Sequence, residues 1–196
     1  MKVLVAVPTT FRGVSPYFIN TFANTILELI SKYDVITRVL ISGEPIDKVR
    51  SFLAEYAIQQ KADYILFIDD DISFDVKILH YILSLNLPFV SGIYTTRNGT
   101  TNILKKIGDK YIGVEKINEN GLIKVDAVGL GCSLIHTKIL KKVKEISGDY
   151  FIFTHNLITN EGYGEDVWFS DQVGKLGIPI YVDTNWKCSH FIIKNV

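Results

Sequence analysis

The sequence predicts an α/β fold in which a mixed, mainly parallel sheet is flanked by helices on both faces. Two continuous apolar runs, at 2–7 and 64–68, and an apolar-rich run at 35–42 have the length and composition of buried strands. Helical patterns at 16–32 and after Pro45 separate them. Because parallel strands need crossover connections, this alternation predicts a Rossmann-like β-α-β-α-β unit in the first half of the chain.

Both early helices carry start signals and an apolar stripe. Ser15 and Pro16 supply an N-cap and a first-turn proline, and Pro45 opens the second helix. In each helix the apolar residues recur at helical spacing, so one stripe is expected to face a core. The predicted core-facing residues are Phe18, Phe22, Ile26 and Ile30, with Ile19, Ala23 and Leu27 beside them, in the first helix, and Val49, Phe52, Leu53 and Tyr56 in the second.

The second half of the chain has shorter apolar runs, which predict a mixed sheet rather than a purely parallel one. A helix at about 75–86 precedes it. The dipeptide Asn120-Gly121 lies between two strand-like segments and predicts a hairpin there. Helices are expected near 137–147 and 165–176, and a final strand or two complete the chain.

Composition narrows the functional classes. The chain has 196 residues, 47% of them hydrophobic, which suits one domain spanning 1–196. Lys plus Arg and Asp plus Glu both number 21, so no net positive charge is available to hold a nucleic acid. There is no run of 18 apolar residues, and the N-terminal apolar stretch is short, so we expect a cytoplasmic protein without a transmembrane segment. The two cysteines are too few for a disulfide framework.

The strongest chemical signal is three consecutive carboxylates after the third predicted strand. Asp69, Asp70 and Asp71 follow YILFI at the carboxyl end of that strand, where α/β sheets place their ligands. Adjacent carboxylates repel one another, and a divalent cation would relieve the repulsion. In an extended segment, Asp69 and Asp71 would point to one side and Asp70 to the other. The alternative is an acidic turn before the next helix, with Asp75 as its cap.

These residues resemble the DxD motif of GT-A-fold glycosyltransferases, especially the family-2-like group, and the preceding Arg-bearing helix and strand resemble that group too. The resemblance implies a GT-A fold in which Asp71 and Asp69 hold Mn²⁺ or Mg²⁺, and Asp69 and Asp70 contact the nucleotide. The donor would be a UDP- or GDP-linked sugar. Hard carboxylate oxygens suit these ions.

A second acidic segment, GYGEDVWFSDQVGKLGIPIYVD at 162–183, resembles the ED motif of the same enzymes. By that resemblance Asp166, with Glu165 beside it, belongs to the catalytic group, and Asp166 is the general base for the acceptor hydroxyl. Tyr163 and Trp168 are candidate platforms for a sugar ring. The alternative is an ordinary acidic first turn, stabilised by the helix dipole.

The resemblance extends to other parts of the chain. It implies nucleotide contacts in the first-strand segment and the second helix, a histidine metal ligand near the C-terminus, and a sugar contact in the glycine-rich segment 128–140. The residues are Pro8, Thr9, Thr10, Arg12 and Arg50 for the nucleotide, His190 for the metal, and Gly131 and Cys132 for the sugar. The segment 147–164, which contains His155, is a candidate lid over the donor.

The expected activity is transfer of a sugar to an acceptor hydroxyl, with inversion at the anomeric carbon. Residues 1–95 would form the half that binds the nucleotide sugar and 96–196 the acceptor side. With no added acceptor domain, a shallow groove suited to a protein-linked or lipid-linked glycan is expected.

Two alternative functions stay open. The DDDIS segment also resembles the DxDx(T/V) motif of haloacid-dehalogenase-like phosphohydrolases, and the chain could be a non-catalytic binder of nucleotide sugars.

Overall fold

The computed structural model describes residues 1–9, 14–154 and 162–191, and the elements follow the predicted alternation. The strands are β1 Lys2–Thr9, β2 Asp34–Ile41, β3 Tyr64–Ile68, β4 Ile72–Phe74, β5 Phe89–Ile93, β6 Ile103–Ile107, β7 Lys110–Gly113, β8 Leu122–Val125, β9 Ala127–Val128, β10 Cys132–His136 and β11 Ile180–His190. The helices are α1 Pro16–Ile30, α2 Ile46–Gln59, α3 Leu79–Ser84, α4 Thr137–Ser147 and α5 Glu165–Lys175, and a 3-10 turn, Val76–Ile78, precedes α3.

The central sheet has eight strands in the order β2-β1-β3-β10-β5-β11-β4, with β8 also paired to β11. Strand β1 lies parallel to β2 and β3, and β5 lies parallel to β11. Strand β10 runs antiparallel between β3 and β5. Five strands therefore share one direction, and the predicted mixed, mainly parallel α/β sheet is confirmed.

Both faces of the sheet are covered, which explains the continuous apolar strands. In β1 the side chains of Val3, Val5 and Val7 belong to one buried cluster, whereas Leu4 and Ala6 belong to the other. Successive residues of a strand point to opposite faces, so every position of such a strand must be apolar when both faces are dry. Helices α2, α4 and α5 cover one face, and α1 and α3 cover the other.

The start of α1 is as predicted, but its buried face is not. The Ser15 side chain accepts a hydrogen bond from the Tyr17 amide at 3.2 Å and caps the helix. Its buried residues are Phe18, Thr21, Thr25 and Leu29, whereas Ile19, Ala23, Leu27 and Ile30 are exposed and Phe22 and Ile26 are half-buried. The apolar stripe of α1 is wider than the face that contacts the sheet, and the buried face includes two threonines.

In α2, one of the residues predicted to face the core is exposed. Val49 and Leu53 are buried as predicted, and Tyr56 is partly buried against the core. Phe52 is 49% exposed, and the Arg38 guanidinium lies over its ring at 5.9 Å. The buried face instead includes Arg50, which leads directly to the functional site.

The predicted hairpin at Asn120-Gly121 is wrong. Strand β7 pairs with β6, and β8 pairs with the distant β11. The tight hairpin turn lies instead at Gly108-Asp109, between β6 and β7, where Gly108 has a φ of +60°. Gly121 does adopt the expected positive φ, +87°, but its backbone pairs with Thr184 of β11. A turn signal fixes a local conformation, whereas the partner strand is chosen by tertiary packing.

The helix predicted at 75–86 is shorter than expected, because Ile72–Phe74 forms the edge strand β4 and a 3-10 turn comes before α3. The Asp75 side chain caps that turn by accepting a hydrogen bond from the Lys77 amide at 3.1 Å. Within residues 1–9, 14–154 and 162–191, no helix combines the length and the apolar character needed to cross a membrane.

Candidate active site

One edge of the sheet collects the residues that the sequence singles out. The carboxyl ends of β1, β3 and β5 meet there, at Thr9, Ile68 and Ile93. Strand β10 runs the other way, so its first residue, Cys132, lies opposite Ile68 at the same edge. Strand β11 bulges beside β5 and continues past the edge to His190. Parallel strands with one reversed neighbour thus bring five chain segments into one crevice.

The three carboxylates after β3 point to three different partners rather than alternating about an extended strand. Asp69 contacts Arg50, Asp70 accepts a hydrogen bond from the Thr9 hydroxyl, and Asp71 contacts His190. The chain turns at this point, because the Ile72 amide donates to the Asp69 carbonyl at 3.0 Å. The backbone is therefore not extended here. Burial raises the pKa of Asp69 and the charge of Asp71 adds to the rise, so these two carboxylates lie near each other, whereas Asp70 bonds to Thr9.

Arg50 joins the two acidic motifs. Its Nη2 donates to Asp69 Oδ1 at 2.9 Å, and its Nε donates to Glu165 Oε1 at 3.0 Å. The Arg50 side chain is 3% exposed and that of Glu165 is 10% exposed. The remaining side-chain nitrogen of Arg50, Nη1, is buried and has no hydrogen-bond partner among the described residues. The Asp69 side chain is 30% exposed, so Glu165 is the more deeply buried of the two carboxylates. A buried carboxylate needs a cation, and Arg50 supplies it to both.

Asp71 is 15% exposed and has a cationic partner that lies at the surface. Its Oδ2 is 3.1 Å from His190 Nε2 and 3.0 Å from Arg97 Nη2, and the Arg97 side chain is 57% exposed. Burial alone would raise the pKa of Asp71, but hydrogen bonding to His190 and Arg97 lowers it. His190 Nδ1 is 3.1 Å from the Thr95 carbonyl, which can only accept, so Nδ1 carries a proton and Nε2 faces Asp71.

This pair fits one part of a divalent metal site. An imidazole whose Nδ1 donates to a backbone carbonyl presents Nε2 as a ligand, and the adjacent carboxylate adds an oxygen ligand. Over the part of the chain that the structure describes, no three His, Cys, Asp or Glu side chains cluster closely enough to hold a metal ion. An ion bound by Asp71 and His190 would need further ligands from phosphate oxygens or water, which is the usual arrangement for Mg²⁺ at a nucleotide.

The second acidic motif starts helix α5. Glu165 is its first residue, and Asp166 Oδ1 accepts a hydrogen bond from the Val167 amide at 2.7 Å. Gly164 is required here, because a Cβ at this position would lie 2.9 Å from Asp166 Oδ1. Burial, reinforced by the charge of the neighbouring Glu165, raises the pKa of Asp166 to about 6. A carboxylate with this pKa is a competent proton acceptor near neutral pH.

Tyr94 is the central residue that the sequence did not reveal. Its hydroxyl accepts a hydrogen bond from the Gly131 amide at 3.1 Å. A Cβ at Gly131 would lie 2.8 Å from that hydroxyl and 3.2 Å from Asp69 Oδ2, and a Cβ at Gly129 would lie 2.7 Å from it and 3.6 Å from Asp166 Oδ2. The two glycines thus leave room for Tyr94 between the acidic motifs. Burial raises the pKa of Tyr94, so its hydroxyl stays protonated.

Solved structures of similar shape identify the fold. S. aureus TarS 1-349, solved with UDP-GlcNAc, aligns with 100% of this chain at a TM-score of 0.58 and 15% identity. GalNAc-T7, solved with UDP, GalNAc and Mn²⁺, aligns with 97% of it at a TM-score of 0.59 and 10% identity. Both are GT-A glycosyltransferases. This chain has the GT-A fold.

A third GT-A-like neighbour is A197 from STIV, a viral glycosyltransferase-like protein, which covers 98% of the chain at a TM-score of 0.64 and 19% identity. No protein-family model and no curated protein sequence matches the chain. The alignment spans 86% of A197 but only 60% of the TarS chain and 44% of GalNAc-T7. At these identities the neighbours establish the GT-A fold.

Within this GT-A fold, the other predicted site residues occupy varied surroundings. Cys132 is fully buried, and its carbonyl accepts a hydrogen bond from the Ser91 hydroxyl at 2.8 Å. Tyr163 donates a hydrogen bond to the Asp109 carbonyl, and Trp168 is partly buried against the main core. Pro8 and Thr9 end β1 and are buried. Thr10, Arg12 and residues 155–161 of the proposed lid, which include His155, lie outside the described residues.

Arg97 and Tyr94 were missed because each belongs to the LPFVSGIY segment or the turn that follows, which carries no catalytic motif. Only the pairing of β5 between β10 and β11 places them at the crevice. An isolated Arg before Asn-Gly is otherwise a common exposed turn residue. The one local signal is Gly129 and Gly131, whose absent side chains indicate that another group approaches the backbone.

Proposed function

We propose that this protein is a metal-dependent glycosyltransferase that moves a sugar from a nucleoside-diphosphate sugar to an acceptor hydroxyl. The observation that carries the proposal is the meeting, at one sheet edge, of the Asp71–His190 pair with Asp166, a carboxylate whose pKa is raised to about 6. The GT-A neighbours TarS and GalNAc-T7, whose structures hold UDP-GlcNAc and UDP with Mn²⁺, support the choice of donor and ion.

Each residue has a distinct role in this proposal. Asp71 and His190 would hold Mn²⁺ or Mg²⁺, and the ion would stabilise negative charge on the departing diphosphate. Asp166 accepts the proton of the acceptor hydroxyl as the oxygen attacks the anomeric carbon and the bond to the diphosphate oxygen breaks. Attack from the face opposite the leaving group inverts the anomeric configuration. Arg50 keeps Asp69 and Glu165 in place beside the reacting groups.

Asp70 and the end of β1 belong to the nucleotide side of the proposed site. The Thr9 hydroxyl donates to Asp70, which ties the first strand to the acidic motif. Arg50, assigned to phosphate from the sequence, has two of its three nitrogens committed to carboxylates. We therefore assign it a positioning role, in which its unpartnered Nη1 is the only nitrogen left for a ligand.

Calorimetry tests the donor site. UDP, GDP and TDP are titrated with and without Mn²⁺ into the wild type, into Asp71→Ala and into the control Asp34→Ala, whose carboxylate is 67% exposed and contacts only Lys2, at 3.8 Å. We expect one diphosphate to bind only with Mn²⁺, the binding to disappear in Asp71→Ala, and the control to behave as wild type. Binding that is unchanged in Asp71→Ala, or no nucleotide binding at all, contradicts the proposal.

The same samples separate the alternative activities. A transferase releases nucleoside diphosphate from its sugar nucleotide, whereas a phosphohydrolase releases phosphate from p-nitrophenyl phosphate and a non-catalytic binder releases neither. In the phosphohydrolase interpretation Asp69 would be the nucleophile. Its two carboxylate oxygens lie 2.9 and 3.2 Å from Arg50 Nη2, an ion pair that reduces the nucleophilicity of a carboxylate. This geometry favours the transferase.

A further inference from the structure

A pocket of about 350 Å³ lies beside Asp166, between the start of α5 and the segment 94–104. Its walls include the side chains of Thr96, Asn98 and Thr100, with Tyr94 at the inner end. Gly113 and Gly129 border it and keep it open, since neither has a side chain. The volume is within the range of pockets that bind small molecules. None of its wall residues between 94 and 104 was predicted from the sequence to contact a ligand.

The pocket is nearly uncharged. Among the described residues that line it, Asp166 is the only carboxylate, and no Lys, Arg or His contributes. The Thr96 and Thr100 hydroxyls lie 3.1 Å apart and bond to each other, and the Thr101 hydroxyl and the Asn102 side chain bond to backbone groups. The exposed Asn98 amide can both donate and accept hydrogen bonds. An anionic ligand would meet the repulsion of Asp166, whereas a neutral ligand with several hydroxyl groups can bond to both Asn98 and Asp166. The apolar side chains of Leu104 and Val167 add a surface for C–H groups.

The wall that carries Asn98 is preformed. The Thr96 amide donates to the Thr100 carbonyl at 2.8 Å, and the Gly99 amide donates to the Thr96 carbonyl at 3.0 Å. Gly99 has a φ of +83°, which closes the turn at little steric cost. Thr95 and Thr101 form a β-bridge below it. The turn presents exposed Asn98 without a large ordering cost on binding.

Tyr94 separates this pocket from the charged part of the site. Its ring packs edge to face against His190, with the ring centroids 5.6 Å apart, while its hydroxyl lies at Gly131 beside the pocket. The groups suited to a diphosphate, Arg97 and His190, are therefore on one side of Tyr94. The base, Asp166, is on the other side, where the attacking hydroxyl must lie.

We propose that this pocket binds the acceptor, and that it takes an uncharged, polyhydroxylated sugar ring whose attacking hydroxyl contacts Asp166. The inference rests on the proposed function and names its acceptor class, a neutral glycan rather than an acidic or phosphorylated one. Asn98 selects the ring by hydrogen bonds to its hydroxyl groups, and Asp166 excludes anions. The threonines bond to one another and hold the turn that carries Asn98.

Saturation-transfer NMR with soluble glycosides tests this assignment. The probes are the methyl glycosides of glucose, galactose, mannose and N-acetylglucosamine, and methyl glucuronide as the anionic match of the glucoside, each with Mn²⁺ and UDP present. We expect a neutral glycoside to bind and Asn98→Ala to weaken it about five-fold, the effect of losing one hydrogen bond. The matched control is Asn118→Ala, at another exposed loop position.

Charge gives a second readout. The glucuronide is expected to bind on the order of ten-fold more weakly than the best neutral glycoside, because its carboxylate faces Asp166. Asp166→Asn should bring the two affinities within about two-fold, since it removes that repulsion. A purely structural effect of Asp166 would weaken both ligands together.

Three results overturn the inference: no neutral glycoside binds, Asn98→Ala binds as wild type, or the glucuronide binds as well as the neutral rings. Calorimetry with UDP and Mn²⁺ on the same samples identifies which proposal has failed. Nucleotide binding without glycoside binding removes this inference and leaves the glycosyltransferase proposal standing. Glycoside binding without nucleotide binding removes the proposed function and leaves a sugar-binding pocket.

Discussion

Two charged clusters at the sheet edge use similar groups but differ in burial. Arg50 is 3% exposed and is held between Asp69 and Glu165. Arg97 is 57% exposed and contacts Asp71 alone among the carboxylates of the described chain. A buried cation that compensates two carboxylates is part of the framework, because its loss leaves charges without a partner. An exposed ion pair contributes little and can exchange its partner for a ligand.

The largest expected effect comes from breaking the buried cluster. Arg50→Met leaves Asp69 and Glu165 facing each other without a cation, and we expect the free energy of unfolding to fall by about 3–5 kcal/mol. The matched substitution Arg97→Met should cost about 0–1 kcal/mol, because its ion pair is in solvent. Urea denaturation at pH 7 measures both. Equal losses in the two variants would show that burial does not distinguish the clusters.

Substitution of Asp166 gives the next largest effect on stability, and the size of this effect depends on pH. Burial and Glu165 raise its folded-state pKa to about 6, above the ordinary 3.8 of the unfolded chain. The protonated carboxyl is therefore favoured in the folded state, so its contribution to stability is complete below pH 3.8 and is lost as the pH rises through 6. We expect Asp166→Asn to exceed the wild type in stability by about 3 kcal/mol at pH 7, and to match it below pH 4.

Urea titrations of the two proteins at several pH values between 3.5 and 7.5 isolate this group, since the other ionisable groups are common to both. A difference that stays constant with pH would contradict a raised pKa. Under the proposed function, the transfer rate of the wild type rises with pH up to about 6 and then levels, and Asp166→Asn lowers it by about 10²–10⁴-fold. Greater stability combined with lost activity is the pattern expected of a strained catalytic group.

The smallest of these effects on stability is expected at His190, whose side chain is 12% exposed. His190→Gln should lower the free energy of unfolding by about 1 kcal/mol, the effect of losing the hydrogen bond to Asp71. The larger effect should appear with ligand. Under the proposed function, Mn²⁺ with UDP is expected to raise the melting temperature of the wild type by preferential binding to the folded state, and His190→Gln should lose that increase. A variant that retains the full increase would remove His190 from the site.

The sequence predicted the elements with strong local signals. The limits of β3, α4 and α5 agree with their apolar runs and helix patterns, and the Ser15 cap is confirmed. The predictions from the sequence were wrong where the local pattern allowed more than one buried face or more than one partner strand. The apolar stripe of α1 could have faced the core along either edge, and the turn at Gly121 could have joined β8 to any neighbouring strand. These choices depend on which surfaces are available for burial, and no local spacing contains that information.

The site shows the same division. The acidic motifs at Asp69–Asp71 and at Glu165 are visible in the sequence, because consecutive carboxylates after a buried strand, or at a helix start, are chemically unusual. Which carboxylate meets Arg50 and which meets His190 was not visible. Residues 50, 69 and 165 are distant in the chain, and their contact exists only because α2, β3 and α5 converge at one end of the sheet.

Local periodicity was enough to predict the α/β class, and residue types at short spacing were enough to single out the two acidic motifs, whose residues resemble those of GT-A enzymes. Contacts between distant elements were needed to show that Arg50 joins the motifs, that Tyr94 lies between them, and that a nearly neutral pocket opens beside Asp166. Burial, ion pairing and pKa depend on distances in space, which are set by the packing of elements far apart in the chain.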